Sequence, residues 1–344
     1  MSEIDPARAA AALETLRSVD AAGSRAEVVG LTQMEGGWSR HTYAIDVEDP
    51  DREGLARYIG RVRPDDSVLD TDLGQEFEIY RILEDEPVPA PRVYGYEPSE
   101  DTPFGGPYFL MERISGEGLN VWRRPDRELL EADWAGGRGI AEDFVDGMAA
   151  IHQVDPAKLS GVVVERDFRA TVARWRDIYE DVRLVSDPVV EEAYAWLLDN
   201  PPAPVTPRLV HGDYRIGNCL VDGGHMTGVL DWELAFIGDP RFDLGYMSLP
   251  YSAGRFVSPD TQSPLTGAVA DRDWLDRRYE AATGEPVDRA VVDQYAALGA
   301  LMLFSIMGTG LALYAAGESS DIRAAWSRFV LSGLRVDLAE LMGW

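Results

Sequence analysis

HGDYRIGN, residues 211–218, runs without a break into CLVDGGHMTGVLDWE, residues 219–233. Two short β-type runs, CLVD and MTGVLD, flank Asp222, Gly223 and Gly224, a turn signal of the kind that closes hairpins. A hairpin there returns Asp231 to the side of Asn218. A carboxylate at Asp213, an amide oxygen at Asn218 and a second carboxylate at Asp231 then converge at one end of a small ribbon. Hard oxygen ligands in that number suit Mg²⁺, which takes one or two protein carboxylates and completes its shell with phosphate oxygens and water. Phosphoryl transfer requires such a metal, a positioned base for the acceptor hydroxyl, and a cover over the phosphates. In this scheme Asp213 takes or orients the proton of the acceptor hydroxyl, and Asn218 and Asp231 hold Mg²⁺. Asp and Asn in loops also cap turns, and each residue alone reads that way. The three together read as chemistry.

Upstream, the chain changes character near residue 113. Before it lie β-type runs at 28–34, 42–47 and 56–62, the second with Tyr43, Ile45 and Val47 alternating on one face. An amphipathic helix follows over 71–85, with Leu73, Phe77, Tyr80 and Leu83 at helical spacing. A proline-rich stretch, 87–96, leads to the apolar strand and Gly turn PYFLMERISG, 107–116. Beyond it the pattern is mostly helical, as in 142–155 and 167–182, until PPAPVTP, 201–207, breaks it just ahead of the opening motif. The expected class is α+β: a small β-rich lobe over 1–113, a hinge at 111–116, and a larger helical lobe over 114–344.

HGDxxxxN followed by a hairpin and DWE resembles the signature of the aminoglycoside phosphotransferase and choline kinase family, which has a protein-kinase-like fold. The longer form, DYRIGN with LDWELAFIGDPRFDLGYM, is similar to a subfamily found both as free-standing kinases and fused to acyl-CoA dehydrogenases. The resemblance implies roles residue by residue. Asp213 matches the catalytic Asp, and Asn218 and Asp231 match the metal ligands. His211 supports the loop, Glu233 holds a metal-bound water, and Asp243 braces the catalytic loop through backbone hydrogen bonds. EGGWSR, 35–40, matches the phosphate-covering turn, with Gly36, Gly37, Ser39 and Arg40 around the nucleotide. Met111, Glu112 and Arg113 match the hinge backbone that meets the nucleobase. Glu76 matches the acid that pairs with a strand lysine, yet the chain's one lysine is Lys158. Arg61 aligns best with the missing lysine; Arg63, on the same face of the strand, is the alternative. A guanidinium bridges carboxylate and phosphate oxygens through its fork of donors, so the replacement is chemically sound. Arg61, Arg40, Arg215 and Mg²⁺ then supply the local positive charge that the phosphates need.

Local reversal of sign is necessary because 60 acidic residues face 32 basic ones, a formal charge of −28. Such a surface disfavours nucleic acid and anionic membranes. It also repels itself, which molar salt screens to about 3 Å. A salt-rich, halophilic cytoplasm is the expectation, and with it a melting temperature that rises between low and molar KCl. Cys219 alone excludes an internal disulfide, and the acidic N-terminal stretch lacks the pattern of a secretory signal. Residues 296–317 carry no charge and are long enough to span a membrane, but Gly299, Ser305, Gly308 and Gly310 interrupt them, and a core helix is the expectation. His152, His225 and Cys219 read as support, solvated and packing residues, and Asp239 before Pro240 as a helix N-cap. Trp122, Trp134, Trp175 and Trp196 read as core, with a substrate-facing ring among them as the alternative. The sum is a kinase moving the γ-phosphoryl group of ATP or GTP to a small-molecule hydroxyl. The acceptor is a hydroxy acid or hydroxyacyl thioester by subfamily resemblance, with aminoglycosides and choline-like alcohols as alternatives. A pseudokinase regulator is the alternative of another class.

Overall fold

The computed structural model describes residues 4–34, 39–52, 54–64, 71–255, 262–319 and 321–344. The chain divides into two compact units, Met1–Asp85 with Ala90–Ile114, and Glu86–Pro89 with Ser115–Trp344.

The first unit holds α1 (Pro6–Ser18), β1 (Glu27–Met34), β2 (His41–Glu48), β3 (Leu55–Val62), α2 (Leu73–Leu83), β4 (Val93–Glu97) and β5 (Tyr108–Glu112). The strands form one antiparallel sheet in the order β1-β2-β3-β5-β4. Period-two alternation sorts its side chains. Tyr58, Val62, Tyr108 and Leu110 join Ala12 and Leu16 of α1 in one buried cluster. Phe109 points to the other face, where the rings of Phe77 and Tyr80 from α2 lie 5.8 and 6.0 Å away. The same alternation turns Arg61 toward α2. That helix starts at Leu73, two residues later than its periodicity suggested, because the Asp72 carboxylate accepts the Gly74 N–H at 2.8 Å and caps it.

The second unit holds β6 (Glu117–Gly118), α3 (Arg124–Ala135), α4 (Gly139–Gln153), α5 (Phe168–Val182), α6 (Pro188–Asp199), β7 (Arg208–Val210), β8 (Cys219–Asp222), β9 (His225–Val229), β10 (Phe236–Gly238), α7 (Arg241–Ser248), α8 (Arg272–Thr283), α9 (Arg289–Ala316) and α10 (Ile322–Met342). Two small sheets, β6-β8-β9 and β10-β7, interrupt the helices. The expected hairpin is β8–β9, and its Cys219 to Val229 pairing sets the register at the open end. Helix α9 is long and apolar enough to cross a membrane, yet 67% of its most apolar window is buried inside the fold. The expected core helix, 296–317, covers all of α9 but its first two turns, and it is buried mainly over 296–305, while 314–317 are exposed. Helix α7 packs against α9 so closely at Gly245 that a Cβ there would lie 2.5 Å from the Ala296 nitrogen. Backbone cannot yield as a side-chain tip does, so glycine sets that spacing. The N-cap expected at Asp239 is shifted by one residue: Pro240 precedes the helix, while the Asp239 carboxylate still accepts the Arg241 N–H at 3.0 Å.

Residues 86–89 interrupt the first unit. They join the second through a Val229 N–H bond to the Pro89 carbonyl at 2.8 Å and an ion pair between Lys158 and Glu86.

Candidate active site

In the second unit, β7 delivers the chain into residues 211–218, and β8 carries it away. Gly212 makes the turn at φ +85°, and any Cβ there would sit 2.5 Å from the Leu234 carbonyl oxygen. Asp213 follows, 18% exposed at its side chain. Its Oδ2 accepts from Asn218 Nδ2 at 2.8 Å, and its Oδ1 from Arg215 Nε at 3.1 Å. Asn218 Nδ2 also donates to the Asp213 carbonyl at 2.9 Å. Those two bonds fix the amide's orientation and turn its oxygen away from Asp213, where it is a hard ligand for a cation.

Asp231 reaches this point through the hairpin. The Leu230 N–H donates to the Asn218 carbonyl at 2.8 Å, one step beyond the last strand pair. Asp231 then takes φ +73°, a left-handed conformation uncommon outside glycine. Strain of this kind persists only where neighbours hold the chain on both sides. On one side is the Leu230 bond. On the other, Trp232 is wholly buried, with its ring 4.6 Å from His211. Burial alone would lower the Arg215 guanidinium, but Asp213 and Asp231 are among the groups that outweigh it and keep it charged. Both carboxylates thus act on one arginine.

His211 supports the loop from beneath. Its Nδ1 accepts the Asp213 N–H at 3.2 Å, so the ring is neutral, and Nε2–H donates to the Leu230 carbonyl at 3.0 Å. Asp243, fully buried on α7, accepts the His211 N–H at 2.8 Å and the Gly212 N–H at 2.9 Å. It takes a third contact from His152 Nε2 at 3.1 Å. Burial pushes the Tyr279 hydroxyl up, and Asp243 and Asp239 add to it, so Tyr279 donates to His152 Nδ1 at 2.7 Å. Cys219 packs under the loop, where burial raises its thiol. His225 is exposed in the hairpin turn and meets Asp143 at 2.9 Å.

Two tyrosines complete the surroundings of Asp213. Burial pushes the Tyr246 hydroxyl well above its ordinary range, and the Asp213 carboxylate adds to the rise. Tyr251 is pushed up to about 12 by burial, with Arg215 opposing. Trp122 meets Tyr251 edge-on at 5.1 Å, so it belongs to this wall and not to a remote core. Sequence reading passed over both tyrosines. Tyr246 carried a signal, since it lies one helical turn after Asp243; Tyr251 carried none.

In the first unit, Glu76 is fully buried on α2. Arg61 Nη2 donates to its Oε1 at 2.9 Å, whereas Arg63 pairs with Glu100 at 2.6 Å. Arg61 is therefore the arginine in the position of the missing lysine's ion pair. Arg40 differs from the expectation of a phosphate contact, because its side chain is 1% exposed. Its Nε donates to Glu76 Oε2 at 3.4 Å, Nη2 to Thr71 Oγ1 at 2.6 Å and Nη1 to the Ser39 carbonyl at 3.3 Å. Gly36 and Gly37 lie outside the described residues. At the strand end, Glu112 N–H donates to the Arg92 carbonyl at 2.8 Å and Arg113 N–H to the Arg57 carbonyl at 3.1 Å. Both of those backbone donors are engaged within the first unit, and Met111 is buried in β5. Glu233 follows Trp232 in the loop after Asp231 and is half-buried.

Among the described residues no group of three or more His, Cys, Asp and Glu side chains gathers as a metal site.

An antiparallel sheet unit in which Arg40 and Arg61 both pair with buried Glu76, and a helical unit carrying Asp213, Asn218 and Asp231 on a braced loop, make up a protein-kinase-like fold. The chain belongs to the phosphotransferase enzyme family APH, whose model matches residues 30–286. Acyl-CoA dehydrogenase family member 10 of Mus musculus is 29% identical over 229 residues, 64% of this chain and 20% of that protein. The chain thus matches only about a fifth of that relative's length. A putative aminoglycoside phosphotransferase from Ralstonia eutropha superposes with a TM-score of 0.73 at 20% identity, covering 97% of this chain and 98% of that one. Aminoglycoside 2'-phosphotransferase-IIIa, solved as its GDP complex, gives 0.64 at 15% identity, covering 98% and 99%.

Proposed function

We propose that this enzyme transfers the γ-phosphoryl group of ATP or GTP to the hydroxyl of a small hydroxy acid or hydroxyacyl thioester. The observation that carries the reaction type is the Asp213 carboxylate, whose two oxygens each accept one fixed donor, Asn218 and Arg215. An ionised carboxylate has about four acceptor sites, so it retains capacity for the acceptor's O–H. Asp213 orients that hydroxyl and receives its proton as the oxygen attacks phosphorus. The new O–P bond forms as the bond between γ-phosphorus and the bridging oxygen breaks, and the nucleoside diphosphate leaves. Arg215, charged and 23% exposed at its side chain, faces the transferred group and stabilises its oxygens. Asn218 Oδ1 and Asp231 are the residues that would hold Mg²⁺, which neutralises the phosphate charge when bound. Arg61, paired with Glu76, is the residue that would take the place of lysine.

The acceptor class is supported by likeness to a protein named as an acyl-CoA dehydrogenase family member, whose own substrates are not assumed for this chain. The surroundings of Asp213 agree with it. Arg215, Tyr246, Tyr251 and Trp122 supply a guanidinium and aromatic rings, which suit an anionic or acyl group better than a polycationic sugar.

Thermal shift in molar KCl with ATP or GTP, each with and without Mg²⁺, tests this reading. A ligand at a hundred times its Kd stabilises by about 2.7 kcal/mol, a rise of several degrees for a chain of this size. The rise is expected to require Mg²⁺ in the wild type and to vanish in Asp231→Ala. No nucleotide-dependent shift in the wild type would remove the proposal and bring a pseudokinase or non-nucleotide role forward.

A further inference from the structure

We infer that Arg40 is a positioning residue that orients Arg61 toward the nucleotide by acting through Glu76, and does not itself contact phosphate. The inference rests on the phosphotransferase reading above. Its basis is a clamp built within one unit. Glu76 has two carboxylate oxygens, each taken by a different arginine: Oε1 by Arg61 Nη2 at 2.9 Å, Oε2 by Arg40 Nε at 3.4 Å. The two guanidinium groups differ in burial. Arg40 is 1% exposed at its side chain and Arg61 12%. Arg40 is held by three groups at once: Thr71 Oγ1 at 2.6 Å ahead of α2, the carbonyl of its neighbour Ser39 at 3.3 Å, and Glu76 on α2 itself.

A glutamate side chain has three rotatable bonds, and a single ion pair through one oxygen leaves the carboxylate plane free to turn. A second guanidinium on the other oxygen fixes that plane. It also prevents Arg61 from closing onto both oxygens in a fork-to-fork pair, which would turn its donors inward and away from phosphate. A lysine at position 61 would present one compact charge and no fork to be captured. Arginine there creates the need for a second hand on Glu76, and Arg40 supplies it.

A double-mutant cycle on the full chain tests this, with the Kd for Mg²⁺-ATP and for Mg²⁺-GTP as the readout and Tm measured alongside. Arg40→Met is expected to weaken nucleotide binding about tenfold, within the range for residues in one network. Glu76→Met is expected to weaken it comparably. The double variant Arg40→Met/Glu76→Met removes both buried charges together, which proteins tolerate better than losing one partner. It should bind nucleotide within about threefold of Glu76→Met alone. Arg40→Lys, which can hold one oxygen, should recover part of the loss. Losses that multiply in the double variant would mean Arg40 touches the nucleotide, and an unchanged Kd in Arg40→Met would mean it has no part in binding. Either result overturns the inference while leaving the phosphotransferase reading intact. If Arg40→Met does not fold, Glu76→Met against the double variant decides it alone: equal Kd values support the inference, and a tenfold gap overturns it. A wild type that binds neither nucleotide would overturn both.

Discussion

Asp213→Asn is expected to lower kcat by about three orders of magnitude, within the range for a positioned acid or base, with nucleotide binding retained. The substitution preserves volume and an oxygen that can still accept the Asn218 Nδ2 bond now spanning 2.8 Å. It removes the charge that balances Arg215 at 3.1 Å and the site that receives the acceptor's proton. If the loop holds, the loss falls on the chemical step and not on KM for nucleotide. The measurement is ADP release in the presence of whichever hydroxy acid gives the wild type its highest rate, compared with the nucleotide-dependent rise in Tm. A variant that keeps more than a tenth of the wild-type kcat would show that the hydroxyl is activated elsewhere, and Asp213 would revert to a turn-capping residue.

Asp243→Ala should have the largest effect on stability of any single change in the second unit. Its carboxylate is fully buried and accepts from three groups, the N–H of His211, the N–H of Gly212 and His152 Nε2. Removing it leaves two buried backbone donors and one histidine donor without an acceptor. Unsatisfied buried groups cost about 1–3 kcal/mol each, so a total of about 3–5 kcal/mol follows if the loop relaxes in part. For a chain of this length that corresponds to a fall in Tm of about 4–7 °C. Activity should fall further than the folded fraction does, because misplacing a catalytic group by an ångström can cost about a hundredfold. Asp243→Asn is the informative companion. It keeps one acceptor oxygen but sets an NH₂ against a donor, so it should fall between wild type and alanine. A Tm within 2 °C of wild type for alanine, about 1 kcal/mol or less, would show that water can replace the carboxylate.

Most of the second-unit site was legible because it is written in contiguous residues. Asp213, Arg215 and Asn218 lie within one turn of chain, and the Gly223–Gly224 turn fixes the return of Asp231 by local rules of hairpin closure. The first-unit sheet was likewise visible as alternation, and α2 as helical periodicity. Where local pattern left a choice, it stayed open. By alternation Arg61 and Arg63 fall on one face, and nothing in the local pattern separates them. Glu76 and Glu100, from two other parts of the chain, divide them instead. The pairing of Trp122 with Tyr251 could not be seen, since 129 positions separate them and only folding sets their rings 5.1 Å apart.

By itself the sequence determined the two-part α+β organisation, the oxygen-rich loop of 211–218 and the hairpin that returns Asp231. Each depends on steric and hydrogen-bonding rules that act over a few residues. Tertiary structure alone decided that Arg61 meets Glu76, that Arg40 is buried behind it, that residues 86–89 belong with the second unit, and that Asp243 accepts three donors. Those outcomes depend on which distant groups share a desolvated space. Burying a charge or a backbone N–H is costly until its partner arrives, and the partner's identity is fixed by packing and not by spacing.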